Sequence, residues 1–316
     1  IFREARLQDD RQICAQIRRT SMPGRISMTT DYEPSFFEAV EVEGYAHRVV
    51  VAERDHQIVG VGLMCQHGVF LNGAPGEVGY IGGLRADKSV RGMTTLFRGN
   101  QMMKLWDKEH FNVPFYLSAI LEDNVEARRV LYSGRAGLPQ TREIGILYNA
   151  AIPFVPRRRP RLPDGVGVVR GTSVGAEGIA EFLNRVGKEK QFYPVYTAQD
   201  ILAERGILRG LGLDDFYIAV KGDVILGVIA CWNQLSFRRT LITGYSGILR
   251  PIRPVASALA GLLRMAPIPS PGDALKNVFA SCVAVAGNDR RIFKLLLDSI
   301  LYDRRRDGNS MLVAGV

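Results

Sequence analysis

Two stretches of the chain place chemically useful residue types at suggestive spacings. The first, YIGGLRADKSVRGMTTLF (80–97), starts as a strand, passes through Arg91-Gly92 and continues as a helix. A helix start presents unpaired backbone N–H groups and the positive end of the helix dipole. Such a junction either cradles an anion such as a pyrophosphate or simply makes a turn. Gly92 lets a backbone approach closely. The second, AILEDNVEARRVLYSGRAGLP (119–139), carries Asn124, Ala127, Tyr132 and Gly137-Leu138, with Tyr132 eight residues after Asn124.

The elements needed to position these residues follow from periodicity. In the first half, IFREAR reads as a short strand, and helix-like segments run through RRTSMPG and EPSFFEAVEVEG. A hairpin spans about 47–70, and GEVGYIGGLRA (76–86) is a further strand. Apolar residues at 93, 96, 97, 102, 103, 105 and 106 give a helix over 92–109 one broad face. A strand over 113–121, a helix over 122–137 stopped by glycine and a last strand over 142–149 complete this half. The pattern predicts a mixed α/β unit, mostly antiparallel, with a parallel pair splayed near positions 84 and 117.

The chain has 316 residues, 47% hydrophobic and 23% charged, a composition that suits two globular domains. IPFVPRRRPRLPDG (152–165) has prolines at 153, 156, 160 and 163, which keep it extended and forbid a helix. The division expected is a first domain at 1–152, a Pro/Arg-rich linker at 153–165 and a second domain, truncated at its C-terminus, at 166–316. No apolar run reaches the roughly 20 residues of a membrane span. The four cysteines lack CxxC spacing and the four histidines show no ligand pattern. These features read as a reduced, metal-free, cytoplasmic protein.

Charge divides unevenly. Residues 1–150 carry 18 Lys/Arg against 18 Asp/Glu, so the whole net charge of +9 lies in 151–316. RRRPR (157–161) and RRR (304–306) supply much of it. No aromatic residues interleave with these arginines, so a solvated linker and helix end is favoured over a nucleic-acid surface.

A repeat crosses the boundary. VAERDHQIVGVGLMC (51–65) aligns without gaps on IAVKGDVILGVIACW (218–232). Ala52, Arg54, Ile58, Gly60 and Val61 meet Ala219, Lys221, Ile225, Gly227 and Val228. Each copy reads as a hairpin, and their matching order within the halves points to duplication.

Taken together, the two opening stretches resemble the GNAT superfamily of acyl-CoA N-acyltransferases over about residues 1–150. The first GNAT motif falls on Leu84, Ala86, Arg91, Gly92, Thr94 and Leu96, and the second on Asn124, Ala127, Tyr132 and Gly137-Leu138. The resemblance implies tandem GNAT-like domains and acetyl-CoA as co-substrate, with no metal. The backbone of Leu84, Arg85 and Ala86 would pair with the pantetheine, as an added strand does. The helix start from Arg91 and Gly92 through Met93, Thr94 and Thr95 would hold the pyrophosphate, with Asn124 completing the site. Tyr132 would donate a proton to the departing thiolate. Thr94 and Leu96 stand where the family has small residues, and Gly82-Gly83 stands where many relatives have a carboxylate. The acceptor amine needs a base, and Glu77, further up the strand, is the candidate.

The second half repeats strand, loop and helix over 277–306, but its loop, AGNDRRIF, has no Arg-Gly equivalent. It reads as a degenerate GNAT-like lobe that packs on the first and walls the acceptor pocket, with the Pro-rich 250–272 as part of the wall. The leading expectation is an N-acetyltransferase acting on a small-molecule or peptide amine, with its active site in the first lobe. The alternative is a non-catalytic CoA-binding sensor or interaction scaffold. Asp31 and Glu33, on the acceptor side, could attract a cation.

Overall fold

The computed structural model describes residues 1–90, 92–135, 137–262 and 266–315. In the first half, strands β1 (Phe2–Glu4), β2 (Ile26–Asp31), β3 (Ala46–Arg54), β4 (Gln57–Leu71), β5 (Ala74–Ala86) and β6 (Tyr116–Leu117) alternate with four helices. These are α1 (Asp10–Arg19), α2 (Phe36–Ala39), α3 (Met93–Trp106) and α4 (Val125–Leu131). Five of the strands form one sheet in the order β1-β3-β4-β5-β6, antiparallel except for β5 and β6. Alternation along β4 sends Leu63 and Cys65 to one face, against Ile13 and Ile17 of α1. Met64 points to the other face, against Trp106 and Met103 of α3.

The second half adds β7 (Asn149–Pro153), β8 (Val166–Arg170), β9 (Phe216–Lys221), β10 (Val224–Trp232), β11 (Arg239–Tyr245), β12 (Ala274–Leu275), β13 (Asn277–Val285) and β14 (Met311–Gly315). Its helices are α5 (Ala176–Gly187), α6 (Ala198–Leu202), α7 (Leu249–Leu262) and α8 (Arg290–Asp303). The second sheet runs β7-β14-β13-β10-β9-β8. Beyond β7 it follows the first sheet strand for strand. The hairpin turns match, with Arg54 opposite Gln57 and Lys221 opposite Val224. So do the bulges: the register slips at Ile58/Gly60 and Val61/Leu63, and again at Ile225/Gly227 and Val228/Ala230.

Several sequence expectations are revised. The strand expected over 113–121 shrinks to Tyr116–Leu117. Residues 142–148 form no strand, and Asn149–Pro153 pairs with β14 in the second sheet instead. Much of the Pro-rich 250–272 is helical, with Pro254 inside α7.

The two halves are joined by hydrogen bonds and charge. Strand β2 of the first half pairs with β11 of the second in a three-stranded sheet with β12. The end of β4 pairs with the segment after α5, where Phe70 N donates to Tyr193 O at 2.8 Å and Val195 N donates to Gly68 O at 2.9 Å. The acidic edge after α2 meets arginines of the second half. Glu41 binds Arg205 and Arg209, Glu38 binds Arg209 at 2.6 Å, and Glu43 binds Arg238 at 2.7 Å. Some of the second half's excess charge is therefore matched across this seam. Arg157 and Arg304, from the two basic runs, pair with Asp298 and Asp215.

Candidate active site

The second bulge on β5 is the centre of the first-lobe site. Gly83 and Leu84 stand opposite the single Gly62, between Gly82, opposite Leu63, and Arg85, opposite Val61. Gly83 takes φ +62°, a left-handed conformation that glycine adopts without strain. On the outer edge, β6 pairs only with Gly79 and Tyr80, and Ser118 Oγ donates to Ile81 O at 2.8 Å. Among the described residues, no strand lies along the edge at Gly82–Leu84. Gly83 and Leu84 are exposed there. This edge can take one more extended chain carrying amide groups. Arg85 and Ala86 carry the strand on, paired with Val61 and Gly60, toward the loop.

The loop forms a short 3-10 turn over Lys88–Val90 before α3. Gly92 is the N-cap of α3 and, as a glycine, supplies the helix no side-chain cap of its own. The first N–H groups of the helix, from Met93 through Thr95, have no acceptor within the helix. Thr95 Oγ1 donates to Val90 O at 2.5 Å and fastens the turn, while Thr94 is exposed. Arg91 lies outside the described residues.

The second motif sits on α4. Asn124 is its N-cap, with Oδ1 accepting from Ala127 N at 3.2 Å. Tyr132 ends the helix, 42% exposed, and its hydroxyl donates to Glu143 Oε2 at 3.4 Å beside Arg128. No residue of α4 is buried. The loop beyond it is tied to α3, where Asn100 Nδ2 at 2.7 Å and Lys104 Nζ at 2.5 Å donate to Gly137 O.

Glu77 is placed away from the bulge. It lies six residues from Gly83, about 20 Å along an extended strand. It accepts from Gln66 Nε2 at 2.7 Å, on the face opposite Tyr80. Asp31 and Glu33 are also engaged: Asp31 holds Arg18 and Arg239, and Glu33 holds Arg18.

On Tyr80's face the structure gathers groups that the sequence motifs did not include. A Cβ at Gly82 would fall 2.4 Å from Tyr80 Cε1, so the glycine is what lets the Tyr80 ring lie beside the bulge. The His67 and Tyr80 rings meet edge to face at 6.0 Å, and His67 Nε2 is 3.6 Å from Cys65 Sγ. Arg238, from the second lobe, pairs with Glu43 and lies 6.0 Å above the Tyr32 ring. Burial pushes the Cys65 thiol far up, so it stays protonated. Burial lowers the His67 pKa against the opposing pull of Glu43. It also raises the phenol of Tyr80. At neutral pH the face therefore presents two neutral imidazoles, His67 and His47 of β3, whose pKa burial also lowers, with two phenols and one ion pair. Cys65 and His67 share a strand face in the sequence pattern, but Glu43 and Arg238 lie far apart along the chain and only the fold joins them. Among the described residues, no group of three His, Cys, Asp or Glu could hold a metal, and no helix is long and apolar enough to cross a membrane.

No family model and no curated protein matches the chain. Solved structures do match. Saccharomyces cerevisiae N-myristoyltransferase with bound myristoyl-CoA matches 99% of this chain and 76% of its own, at TM-score 0.58 and 10% identity. A second structure of that protein matches 100% of this chain and 72% of its own, at TM-score 0.58 and 9% identity. An aminoglycoside antibiotic 6'-N-acetyltransferase from Acinetobacter haemolyticus matches 46% of this chain and 95% of its own, at TM-score 0.35 and 17% identity. The chain has the fold of the GNAT N-acyltransferases, in the tandem, two-lobed form that N-myristoyltransferase shares.

Proposed function

We propose that the protein is an acyl-CoA-dependent N-acyltransferase, with acetyl-CoA as donor and a small-molecule or peptide amine as acceptor, and with its active site in the first lobe. The observation that carries this reading is the open edge at Gly82–Leu84 leading to the uncapped start of α3. An extended pantetheine fits the edge through backbone pairing, and a pyrophosphate fits the helix start. The amine nitrogen attacks the thioester carbonyl carbon, the C–S bond breaks, and its electron pair leaves on sulfur. The Tyr132 hydroxyl supplies a proton to that thiolate. In this reading the second lobe walls the acceptor side through β11 and Arg238.

Thiol release from acetyl-CoA across a panel of primary amines tests the activity, with wild type and Tyr132→Phe side by side. The variant keeps the ring and loses the proton donor. Cofactor affinity should hold while turnover drops by about 10²–10⁴-fold, as for a positioned general acid. Equal turnover would reduce Tyr132 to a surface tyrosine. The exposure of Tyr132, whose hydroxyl is held among the described residues only by Glu143, favours one other reading, a CoA-binding sensor or scaffold. That reading predicts acetyl-CoA binding with no amine ever acylated.

A further inference from the structure

We propose that His67 is the proton acceptor for the amine, in an acceptor pocket lined by Tyr32, Glu43, Tyr80 and, from the second lobe, Arg238; this rests on the transferase reading above. An amine reaches neutral solution as an ammonium ion and cannot attack a carbonyl until it loses a proton. A base for that step must face the acceptor side, lie near the bulge, be reachable by solvent and hold a free lone pair at neutral pH. Glu77 fails the first two conditions.

His67 meets the first and the last two directly; paired with Val78, five residues from Gly83, it reaches the bulge through Tyr80. It stands on the face of the first sheet that turns toward α1 and the second lobe, as do Cys65 and Tyr80. Its ring touches Tyr80, whose own ring lies over Gly82 beside the bulge. It is half-buried rather than sealed. Burial keeps the imidazole neutral, and Cys65 beside it remains a thiol, so one ring nitrogen carries a lone pair.

The charged and titratable groups that face it are few. Glu43 comes from the turn after α2, Cys65 from β4, Tyr80 from β5 and His47 from β3, where it pairs with Cys65 on the same face, with Arg238 holding Glu43 from the far side. Glu43 stabilises the imidazolium once it forms, and Arg238 limits how far that carboxylate raises the resting pKa. Arg238 acts through Glu43 and is a positioning residue. In the step itself, the ammonium proton moves to the imidazole nitrogen and leaves the amine lone pair. The nitrogen then attacks the thioester carbonyl carbon. The C–S bond breaks with its pair on sulfur, a second amine proton is lost as the amide forms, and the thiolate is protonated. The imidazolium returns its proton to water.

The test is the pH profile of kcat/KM for wild type, His67→Gln and His67→Ala. Acetyl-CoA is the donor, and the acceptor is the fastest of methylamine, benzylamine, spermidine and Gly-Ala-Ala. Wild type should lose activity as pH falls through a value below the ordinary histidine value of about 6.5. His67→Gln should lower kcat by about 10²-fold or more and abolish this acidic limb, with KM for acetyl-CoA unchanged. Added imidazole should restore part of the rate to His67→Ala. Full activity in His67→Gln, or a uniform drop that keeps the limb and resists imidazole, would overturn the assignment while leaving the transferase reading standing. Acetyl-CoA binding without thiol release from wild type, whatever the amine, would overturn both.

Discussion

The two lobes share a strand order, a hairpin turn and two bulges, yet they treat the second bulge in opposite ways. In the first lobe it falls on Gly83, open to solvent, with Leu84 beside it 42% exposed. In the second it falls on Cys282, which takes φ +50° despite its side chain and is only 6% exposed. Burial in the α5 core raises that thiol to about 12, against the lowering effect of its hydrogen bond with Tyr196. The helix that follows differs in the same sense. Helix α3 starts at Gly92 without a cap, whereas α8 starts at Asp289, whose carboxylate accepts from Arg291 N at 2.8 Å. The second lobe thus supplies its own anion where a phosphate would sit and its own side chain at the bulge. One scaffold supports a binding slot or a filled core, and a few side chains decide which.

The largest expected effect comes from making the first lobe resemble the second. A Cβ at Gly92 meets no described atom within 4 Å, so Gly92→Asp adds a carboxylate at the helix start without a clash, and Gly92→Ala controls for the strain of a side chain at φ +158°. Acetyl-CoA affinity should fall by about fivefold or more, through a like-charge cost above about 1 kcal/mol. Calorimetry on wild type should give about one site per chain. Two equal sites, or tight binding by the variant, would break the comparison.

A middle-sized effect is expected at the seam. Arg238→Ala leaves Glu43 without its partner in a partly desolvated place, and stability should drop by about 1–2 kcal/mol in denaturant unfolding. The double variant with Glu43→Gln should recover part of that loss. Strict additivity would mean the pair does not couple the lobes.

The smallest effect is expected at the second helix start. Asp289→Ala should lower Tm slightly and leave acetyl-CoA binding unchanged. Hydrogen bonds from Arg291 hold the Asp289 carboxyl below its usual pKa. Its stabilisation is therefore present above the ordinary carboxylate range and is lost as pH falls through the lowered value, so wild type and variant should converge in acid. A gap that widens in acid would reverse this assignment.

What the sequence revealed was mostly local. The repeat of Ala52, Ile58 and Gly60 on Ala219, Ile225 and Gly227 located both hairpins, because strand alternation and turn polarity are written in neighbouring residues. The Arg-Gly junction located the start of α3 for the same reason. Long-range partners were not legible. Ile144, Ile146, Leu147 and Tyr148 look like a strand, yet they stay exposed because, among the described residues, no neighbouring strand receives them. The pairing of β2 with β11, and of Glu43 with Arg238, depends on how two distant segments meet. Glu77 is acidic and on the right strand, but which face it takes is set by its register with Gly68, a pairing between distant segments.

The placement of β7 bears on how the molecule assembles. This strand precedes the proline-rich run, yet its hydrogen-bonding partner β14 follows the rest of the second lobe in chain order. During synthesis β7 must wait, unpaired, while α5 through α8 take shape, and its pairing is among the slowest contacts to form. Once it has formed, cleavage among Arg157–Arg159 would yield two fragments that remain associated until denatured.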